Sequence, residues 1–249
     1  MMKYLLVPLL CLSFSASALN VDSIDIRAGM VYQENTDMLL TGTYNQKRSN
    51  GKLKKKVNYR NGLKSGLSTK YYSSGTVETE YSYKDGNKSG EYRAFFKNGY
   101  AEEIGYYRGD IKHGEFTQYS KKSSDLKVSQ THYSDGHKNG LKREWYKSGE
   151  LKEAIGYLND KKDGVKVEYA NNGSLESKTE YKLGEKQGKE QEWYSNGSLK
   201  EEKNYLHDEK HGTVVKYYDN GKKKSEVEYE YGKKVSKVVK WKKNGQLKD

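Results

Sequence analysis

The sequence predicts an all-β protein built as an elongated meander of antiparallel β-hairpins, lying in a single twisted sheet. Glycines recur with a period of 24 residues, and short alternating apolar and polar segments separate them. The composition agrees, since 249 residues include 24 tyrosines and 25 glycines but one proline. The chain has a net charge of +12 and is poor in aliphatic residues. We therefore expect tyrosine to supply much of its packing.

Two glycine series define about nine repeat units, of which the last is incomplete. A step of 24 residues recurs inside each run of both series. The interval between Gly99 and Gly149 is 50 residues, which leaves room for one degenerate unit near residues 115–135 in which Ser124 replaces the glycine. The first series is Gly51, Gly75, Gly99, Gly149, Gly173, Gly197, Gly221 and Gly245. The second series is Gly66, Gly90, Gly114, Gly140, Gly164, Gly188 and Gly212.

Each unit contains two predicted turns. The first is usually Asn-Gly, as at Asn50-Gly51 and Asn196-Gly197, which predicts a type I′ hairpin turn with both central residues at positive φ. The second lies in octets such as YKDGNKSG, from Tyr83 to Gly90. Asp160 and Asp208 replace its first glycine in two units, and aspartate tolerates a left-handed conformation.

The segments between turns alternate with a period of two, as in strands. Glycines about every 12 residues would interrupt any helix, which excludes a helical fold. A tyrosine follows the first glycine by eight residues in most units, as Tyr181 follows Gly173. An aromatic residue four positions before the next glycine closes the returning segment, and we expect one aromatic face stacked from unit to unit. These structural aromatics are Tyr71, Phe95, Trp145, Tyr169, Trp193, Tyr217 and Trp241.

Residues 1–18 are predicted to be a signal peptide. Lys3 supplies its positive charge, an apolar segment follows, and Ala16-Ser17-Ala18 is typical of a cleavage site. The only cysteine, Cys11, lies in this segment, so the exported chain would lack thiols and disulfides. We expect residues 19–43 to form an N-terminal lead-in or cap and residues 44–249 to form the repeat domain.

The repeat strings resemble the MORN-repeat variant of the YwqK antitoxin family. The resemblance covers roughly residues 41–249 and rests on FFKNGYAEEIGYYRGDIKHGEF, EWYSNGSLKEEKNYLHDEKHG and YYDNGKKKSEVEYEYGKK. It implies an elongated hairpin meander and a binding role, as a toxin-neutralising partner, an adhesin-like surface protein or a membrane-associated scaffold. It transfers no catalytic residue.

A lysine stands two positions before the second glycine in every regular unit. Successive turns on one sheet edge are about 9.6 Å apart, so these lysines would form a basic rim. The rim is either a docking edge for an acidic protein, an anionic polymer or a membrane surface, or a means of keeping turns soluble and unaggregated. Its members are Lys64, Lys88, Lys112, Lys138, Lys162, Lys186 and Lys210, and Lys234 continues the series before Ser236.

No enzyme is expected, and neither a metal nor a cofactor. His207 and His211 fall within one turn without the frame of a metal site, and His113 occupies a turn position that other units fill with Ser, Asn, Asp or Gln. Adjacent acids such as Glu102 and Glu103 point to opposite faces of a strand. Nucleic acid is not an expected partner, because glutamates are interleaved among the lysines.

The sequence therefore predicts an exported, non-enzymatic binding protein of the periplasm or the cell surface. The favoured hypothesis is an antitoxin or immunity protein that engages a partner protein, a toxin or effector, along its sheet. The alternative is a structural or adhesin-like envelope scaffold that binds membrane or anionic polymers through the rim. The degenerate unit is interpreted either as a tolerated bulge or longer loop, or as a bend that shapes a partner surface.

Overall fold

The computed structural model describes residues 19–248, so the predicted signal peptide lies outside the described residues. Within that range no helix is long and apolar enough to cross a bilayer. The strands are β1 (Leu19–Val21), β2 (Ile24–Arg27), β3 (Met30–Gln33), β4 (Gly42–Lys47), β5 (Leu53–Arg60), β6 (Leu63–Tyr71), β7 (Val77–Lys84), β8 (Asn87–Phe95), β9 (Ala101–Arg108), β10 (Ile111–Lys112), β11 (Gly114–Ser120), β12 (Ser123–Ser134), β13 (His137–Trp145), β14 (Leu151–Leu158), β15 (Lys161–Lys162), β16 (Gly164–Tyr169), β17 (Leu175–Lys182), β18 (Glu185–Trp193), β19 (Leu199–Leu206), β20 (Glu209–Lys210), β21 (Gly212–Tyr217), β22 (Lys223–Glu230), β23 (Lys233–Lys234) and β24 (Val239–Lys240).

Twenty-two of these strands form one long, mostly antiparallel sheet, as predicted. From β4 to β10 each strand pairs with the next along the chain, because short turns leave no room for crossovers. In four places a strand is split into two short strands that pair with the same neighbour. β10 and β11 pair with β9, β15 and β16 with β14, β20 and β21 with β19, and β23 and β24 with β22. The hairpin of β2 and β3 is a separate two-stranded sheet.

Type I′ geometry occurs at the second turn of each unit. Both central residues have positive φ, for example Asp85 (48°) with Gly86 (87°), and Leu183 (49°) with Gly184 (103°). Asp160 (φ 66°) and Asp208 (φ 65°) adopt the predicted left-handed conformation. These two-residue turns match the twist of the strands and close tight hairpins such as Lys84 paired with Asn87.

The prediction of type I′ geometry at the Asn-Gly turns is wrong. Only the glycine has positive φ there, as in Gly51 (77°). The asparagine instead accepts a hydrogen bond through its side chain from the backbone two residues later, as Asn196 Oδ1 does from Ser198 N at 3.0 Å. Gly197 N donates to Tyr194 O at 2.9 Å, which closes a four-residue turn. Asparagine favours this turn through its side-chain acceptor and not through a left-handed backbone.

The second glycine series marks β-bulges within the returning strands and lies outside the turns. Gly66, Gly90 and Gly188 have φ of 78°, 118° and 102°. The register shifts beside them, for example between Thr179 and Tyr181 where β17 pairs with β18. A bulge needs an extra residue in a conformation that glycine adopts at low cost, which explains why the series repeats so regularly.

The N-terminal cap closes the first edge of the sheet. β1 pairs in parallel with β4, with Leu19 opposite Gly42. The hairpin of β2 and β3 is attached through Val31 N, which donates to Gly62 O at 3.0 Å, and through Gly62 N, which donates to Leu40 O at 2.9 Å. This arrangement protects an edge that would otherwise expose unpaired backbone groups.

The buried interior is small, as expected for a sheet one layer thick. Its hydrophobic cluster consists of Tyr92, Ala94 and Phe116, with tyrosines packed around it. Ring contacts within residues 19–248 are confined to Tyr81–Tyr133 and to the pair His211–Tyr231. The predicted aromatic stacking is therefore local and does not run through every unit.

The degenerate unit has the form of a bulged hairpin. β11 and β12 are joined by a two-residue loop, with Ser120 opposite Ser123, and the register shifts twice between Gln118 and Ser120. β12 is 12 residues long, which takes up the extra residues of this unit.

Candidate functional site: the lysine–tyrosine ladder

The predicted rim lysines lie in strands and alternate with tyrosines along one face of the sheet. Each is the second residue of its strand and pairs across the two-residue turn with a tyrosine. We call this row the lysine–tyrosine ladder. Its pairs are Tyr59–Lys64, Tyr83–Lys88, Tyr107–Lys112, Tyr133–Lys138, Tyr157–Lys162, Tyr181–Lys186, Tyr205–Lys210 and Tyr229–Lys234.

Seven ladder lysines also contact the tyrosine of the following unit. Their Nζ atoms lie 4.8 to 5.3 Å from the centroids of the rings of Tyr83, Tyr107, Tyr133, Tyr157, Tyr181, Tyr205 and Tyr229. Such cation–π contacts each contribute on the order of 0.5–1 kcal/mol at partly exposed sites. The ladder therefore joins successive units through side chains as well as backbone.

The ladder differs from the expected rim in its exposure. Seven of the lysines are half-buried and only Lys234 is exposed. The reason is the tightness of the type I′ turns, which places the lysines inside the paired region and packs their aliphatic stems against tyrosine rings. The ladder ammonium groups still reach solvent, but on the face of the sheet and beside the turns.

Burial raises the pKa of several ladder tyrosines above the ordinary value for tyrosine, about 10. It raises the pKa of Tyr107 to about 12, with Tyr81 and Glu103 adding to the effect. Burial likewise raises the pKa of Tyr59 and Tyr133. Their hydroxyls are neutral at physiological pH and can donate hydrogen bonds to a bound acceptor.

Most ladder lysines have no carboxylate within salt-bridge distance among the described residues. Lys112 lies 3.9 Å from Glu103, and Lys186 pairs with Glu190. Lys64, Lys88, Lys138, Lys162, Lys210 and Lys234 make no such pair within residues 19–248. Tyrosine rings and solvent stabilise these charges without neutralising them, which leaves the charges available to an anionic partner.

Glutamates line the same face beside the ladder, in what we call the acidic row. It contains Glu103, Glu144, Glu153, Glu168, Glu192 and Glu201. These acids pair mainly with lysines at the centre of the strands, such as Lys166 with Glu153 at 3.0 Å and Lys203 with Glu192 at 2.9 Å. The acidic row is thus largely neutralised by lysines outside the ladder.

Lys203 is the centre of the densest ionic network. Its Nζ lies 2.9 Å from both Glu190 and Glu192 and 3.4 Å from Glu201. Burial opposes ionisation of Glu190, but hydrogen bonds from Lys186 and Lys203 outweigh it and lower the pKa of this carboxyl. The pKa of Lys203 is raised because its three carboxylate neighbours outweigh burial.

Two of the cavities on this face lie between β9 and β19. One of about 510 Å³ is lined by Tyr181, Lys186, Glu190 and Trp193 among others. The other, of about 420 Å³, is lined by Tyr133, Lys138, Glu144 and Trp145 among others. Both therefore join a ladder pair to a glutamate and to a tryptophan predicted as a structural aromatic.

The structural aromatics lie at or just beyond the ends of the strands that precede the first turn of each unit, where, for six of the seven, the pairing register with the next strand shifts. All seven are half-buried, and those at 71, 95, 145, 169, 193 and 217 face their cross-strand partners past a bulge. The aromatics consequently form two rows at opposite ends of the strands.

Tyrosines following four of these aromatics link the units, and sequence reasoning missed them. Tyr194 Oη donates to Tyr217 O at 2.9 Å, 23 residues later. Tyr72, Tyr146 and Tyr218 make the equivalent bond at 2.7 to 2.8 Å, and Arg48 substitutes for the tyrosine in the first unit. We call these bonds tyrosine staples. Recurrence at the 24-residue period was the signal that could have revealed them.

The histidines do not assemble a metal site. Within residues 19–248 no group of three or more His, Cys, Asp or Glu residues could hold a metal ion. His113 and His211 lie at the strand interruptions, where their backbone N–H groups donate to Tyr106 O and Asn204 O at 2.9 Å. His207 Nδ1 lies 2.7 Å from Glu185.

Comparison with known protein families identifies the repeats. The family described as the MORN repeat variant matches residues 40–61, 64–85, 162–183, 186–207 and 210–231. A comparison with curated proteins gave no match. MORN-type repeats are therefore present toward both ends of the sheet, and the fold is a MORN-repeat meander.

Proposed function

We propose that this protein is a non-catalytic binding protein that engages a partner protein along the lysine–tyrosine ladder. The observation that carries the proposal is the row of ladder lysines without carboxylate partners. A partner with acidic side chains would neutralise these charges, and the neutral tyrosine hydroxyls would donate hydrogen bonds to it. MORN-type repeats generally occur in non-catalytic proteins that bind proteins or membranes.

The finer proposal is that of an antitoxin or immunity protein of the YwqK type, exported to the periplasm or the cell surface. Export is supported by the pattern of residues 1–18, and the antitoxin role is supported by the resemblance of the repeat strings. The partner would then be a toxin or effector whose acidic surface fits along several units. Contact along many units favours strong binding because each unit adds a similar small contribution.

A second candidate function is that of an envelope scaffold that binds anionic polymers or a membrane surface. The observation that favours it is the regularity of the ladder, which repeats every two strands, or about 9.6 Å. A polymer or a membrane surface presents repeated charges over such a length. Attachment of this kind would weaken steeply with salt, because exposed charges are screened.

Charge reversal on the two faces tests the proposal. Lys138, Lys162 and Lys210 are each replaced by glutamate, and the partner is captured from envelope extracts with the unaltered and altered chains. We expect the ladder variant to lose capture, because three attractive contacts become repulsive.

The matched control reverses Lys84, Lys161 and Lys182, which are exposed lysines beside two-residue turns of the same kind but on the opposite face by strand alternation. The control should capture the partner normally at the same net charge. Full capture by the ladder variant, or equal loss in both variants, would contradict the proposed surface.

A further inference from the structure

The first repeat unit breaks the charge pattern that the acidic row sets in the middle of the sheet. From β9 to β19, this row places Glu103, Glu153 and Glu201 at corresponding positions of alternate units. In the first unit the position is Lys55, and it lies directly opposite Lys70. Like charges facing each other across a strand pair are unfavourable, so this pair calls for a compensating anion.

A cavity of about 580 Å³ opens at this pair. Lys55, Lys64 and Lys70 line it together with four tyrosines, Tyr44, Tyr59, Tyr81 and Tyr83. Among residues 19–248 its lining contains no carboxylate, whereas glutamates line both of the other cavities described above.

The N-terminal hairpin gives this cavity an apolar wall. Ile24 and Ile26 of β2 line it, together with Val57 of β5. Ile26 is 67% exposed, so most of its side chain is open to solvent beside the cavity. An apolar group held there would cover it.

The electrostatics of the cavity favour an anion. Burial lowers the pKa of Lys64, and the neighbouring charge of Lys55 lowers it further; Asp110 acts in the opposite direction, and Lys88 adds a smaller lowering effect. Lys70 is partly neutralised by Glu78 at 2.5 Å. Lys55 and Lys64 make no salt bridge within residues 19–248, so they are the two cations available to a ligand.

We propose that this cavity binds a phosphate monoester whose organic part is apolar. The doubly charged head would lie between the ammonium groups of Lys55 and Lys64 and accept hydrogen bonds from tyrosine hydroxyls. The organic part would lie against the tyrosine rings and the side chains of Ile24 and Ile26. The cavity shares Lys64, Tyr59 and Tyr83 with the lysine–tyrosine ladder, but the argument for a phosphate ligand does not rest on the partner protein proposed above.

Calorimetric titration of the full chain with phenyl phosphate tests this site. We expect saturable binding with one site per chain, tighter than binding of inorganic phosphate or of phenol. Lys64→Met and Lys55→Thr should each weaken it at least tenfold. Threonine is the residue that the following unit carries at the position of Lys55, namely Thr79, so it suits the strand.

Two controls separate the site from general attraction to the basic sheet. Lys162→Met removes a ladder lysine outside the cavity and should leave the affinity unchanged. Ile26→Ser should weaken phenyl phosphate but not inorganic phosphate. Melting curves of all variants establish that they fold.

Absence of saturable binding by the unaltered chain would overturn the proposal, as would equal loss in Lys162→Met. Vesicles containing phosphatidic acid distinguish the source of the phosphate monoester. Competition by these vesicles would indicate a lipid headgroup, and its absence together with phenyl phosphate binding would indicate a soluble ester. Either result supports the site.

Discussion

At the scale of single residues, packing in this thin sheet depends on a few positions. Phe116 is only 3% exposed and occupies the space above Gly105. A Cβ atom built on Gly105 would lie 2.3 Å from the ring of Phe116, far inside van der Waals contact. Gly105 belongs to neither of the two repeating glycine series. Glycine is needed at this position because the ring of Phe116 lies against it.

Gly105→Ala should therefore destabilise the protein by about 1–3 kcal/mol, the usual cost of overpacking. Urea denaturation measures the change in the free energy of unfolding. The control is Gly109→Ala: Gly109 lies in a neighbouring turn with no atom within 4 Å of its Cβ position, so its cost comes only from its φ of 59°. Combining Gly105→Ala with Phe116→Leu should recover part of the loss, and a fully additive loss would contradict the packing explanation.

The two kinds of aromatic residue should respond differently to truncation. Phe116→Ala should cost about 3–5 kcal/mol, as for a buried aromatic. Trp193→Ala should cost about half as much, because Trp193 is half-buried. Chemical denaturation of both variants checks the order, and a larger loss for Trp193 would show that the second aromatic row carries the stability.

The Lys203 network makes stability depend on pH. The lowered pKa values of Glu190 and Glu192 mean that their contribution is present above the ordinary glutamate pKa, about 4.3, and is lost as pH falls through the lowered values. Lys203→Met should cost about 2 kcal/mol at pH 7, less than a fully buried pair, and progressively less below pH 4.

Denaturation at pH 7 and pH 3 measures this difference. Lys216→Met is the control, because the Lys216 side chain is 52% exposed and its Nζ makes one salt bridge within residues 19–248, to Glu201 Oε1 at 3.5 Å. It should change stability by less than about 0.5 kcal/mol at either pH. An effect of Lys203→Met that stays constant with pH would contradict the network.

At the scale of elements, the repeat unit is a hairpin with two unlike ends. One end is a two-residue turn whose backbone N–H donates to the ladder lysine of the preceding unit, as Gly184 N does to Lys162 O at 2.7 Å. The other end is a four-residue turn with glycine in its last position, and in four units a tyrosine staple joins this end to the next unit. Those units are thus linked to their neighbours at both ends of their strands.

Removing one staple tests its contribution. Tyr194→Phe deletes the hydroxyl that donates to Tyr217 O and leaves the ring, so it should cost about 1 kcal/mol. Tyr100→Phe is the control, because Tyr100 is 43% exposed and its hydroxyl bonds to nothing in residues 19–248. A neutral Tyr194→Phe, measured by thermal unfolding, would show that the staple is replaced by water.

Much of the hairpin pattern could be predicted, because glycine spacing and alternation are local signals. The turn type at Asn-Gly could not be predicted, since asparagine occurs both where the backbone is left-handed and where its side chain accepts a hydrogen bond. The octet pattern does not distinguish the bulges at Gly66 and Gly188 from turns, because a positive-φ glycine occurs in both. The ladder lysines were identified, but their burial depends on cross-strand register, which composition does not reveal.

At the scale of the whole molecule, the units add along one axis. Of the 22 strands in the sheet, four pairs each share one position, which leaves 18 positions against the roughly 16 expected. At about 4.8 Å per position the sheet extends about 80 Å. Small-angle scattering should give a radius of gyration of about 25 Å from these dimensions, against about 18 Å for a compact chain of this length. A value near that of the compact chain would contradict the extended sheet.

The proposed binding surface can be tested through the same geometry, because alternation sends neighbouring side chains to opposite faces. Tyr181 belongs to the ladder, and Lys182 points away from it on the same strand. A photo-crosslinking amino acid at each position therefore samples the two faces of one unit under identical conditions. In living cells we expect the probe in place of Tyr181 to form a discrete protein adduct and the probe in place of Lys182 to form none; adducts from Lys182 alone, or from neither position, would contradict the ladder as the partner-binding surface.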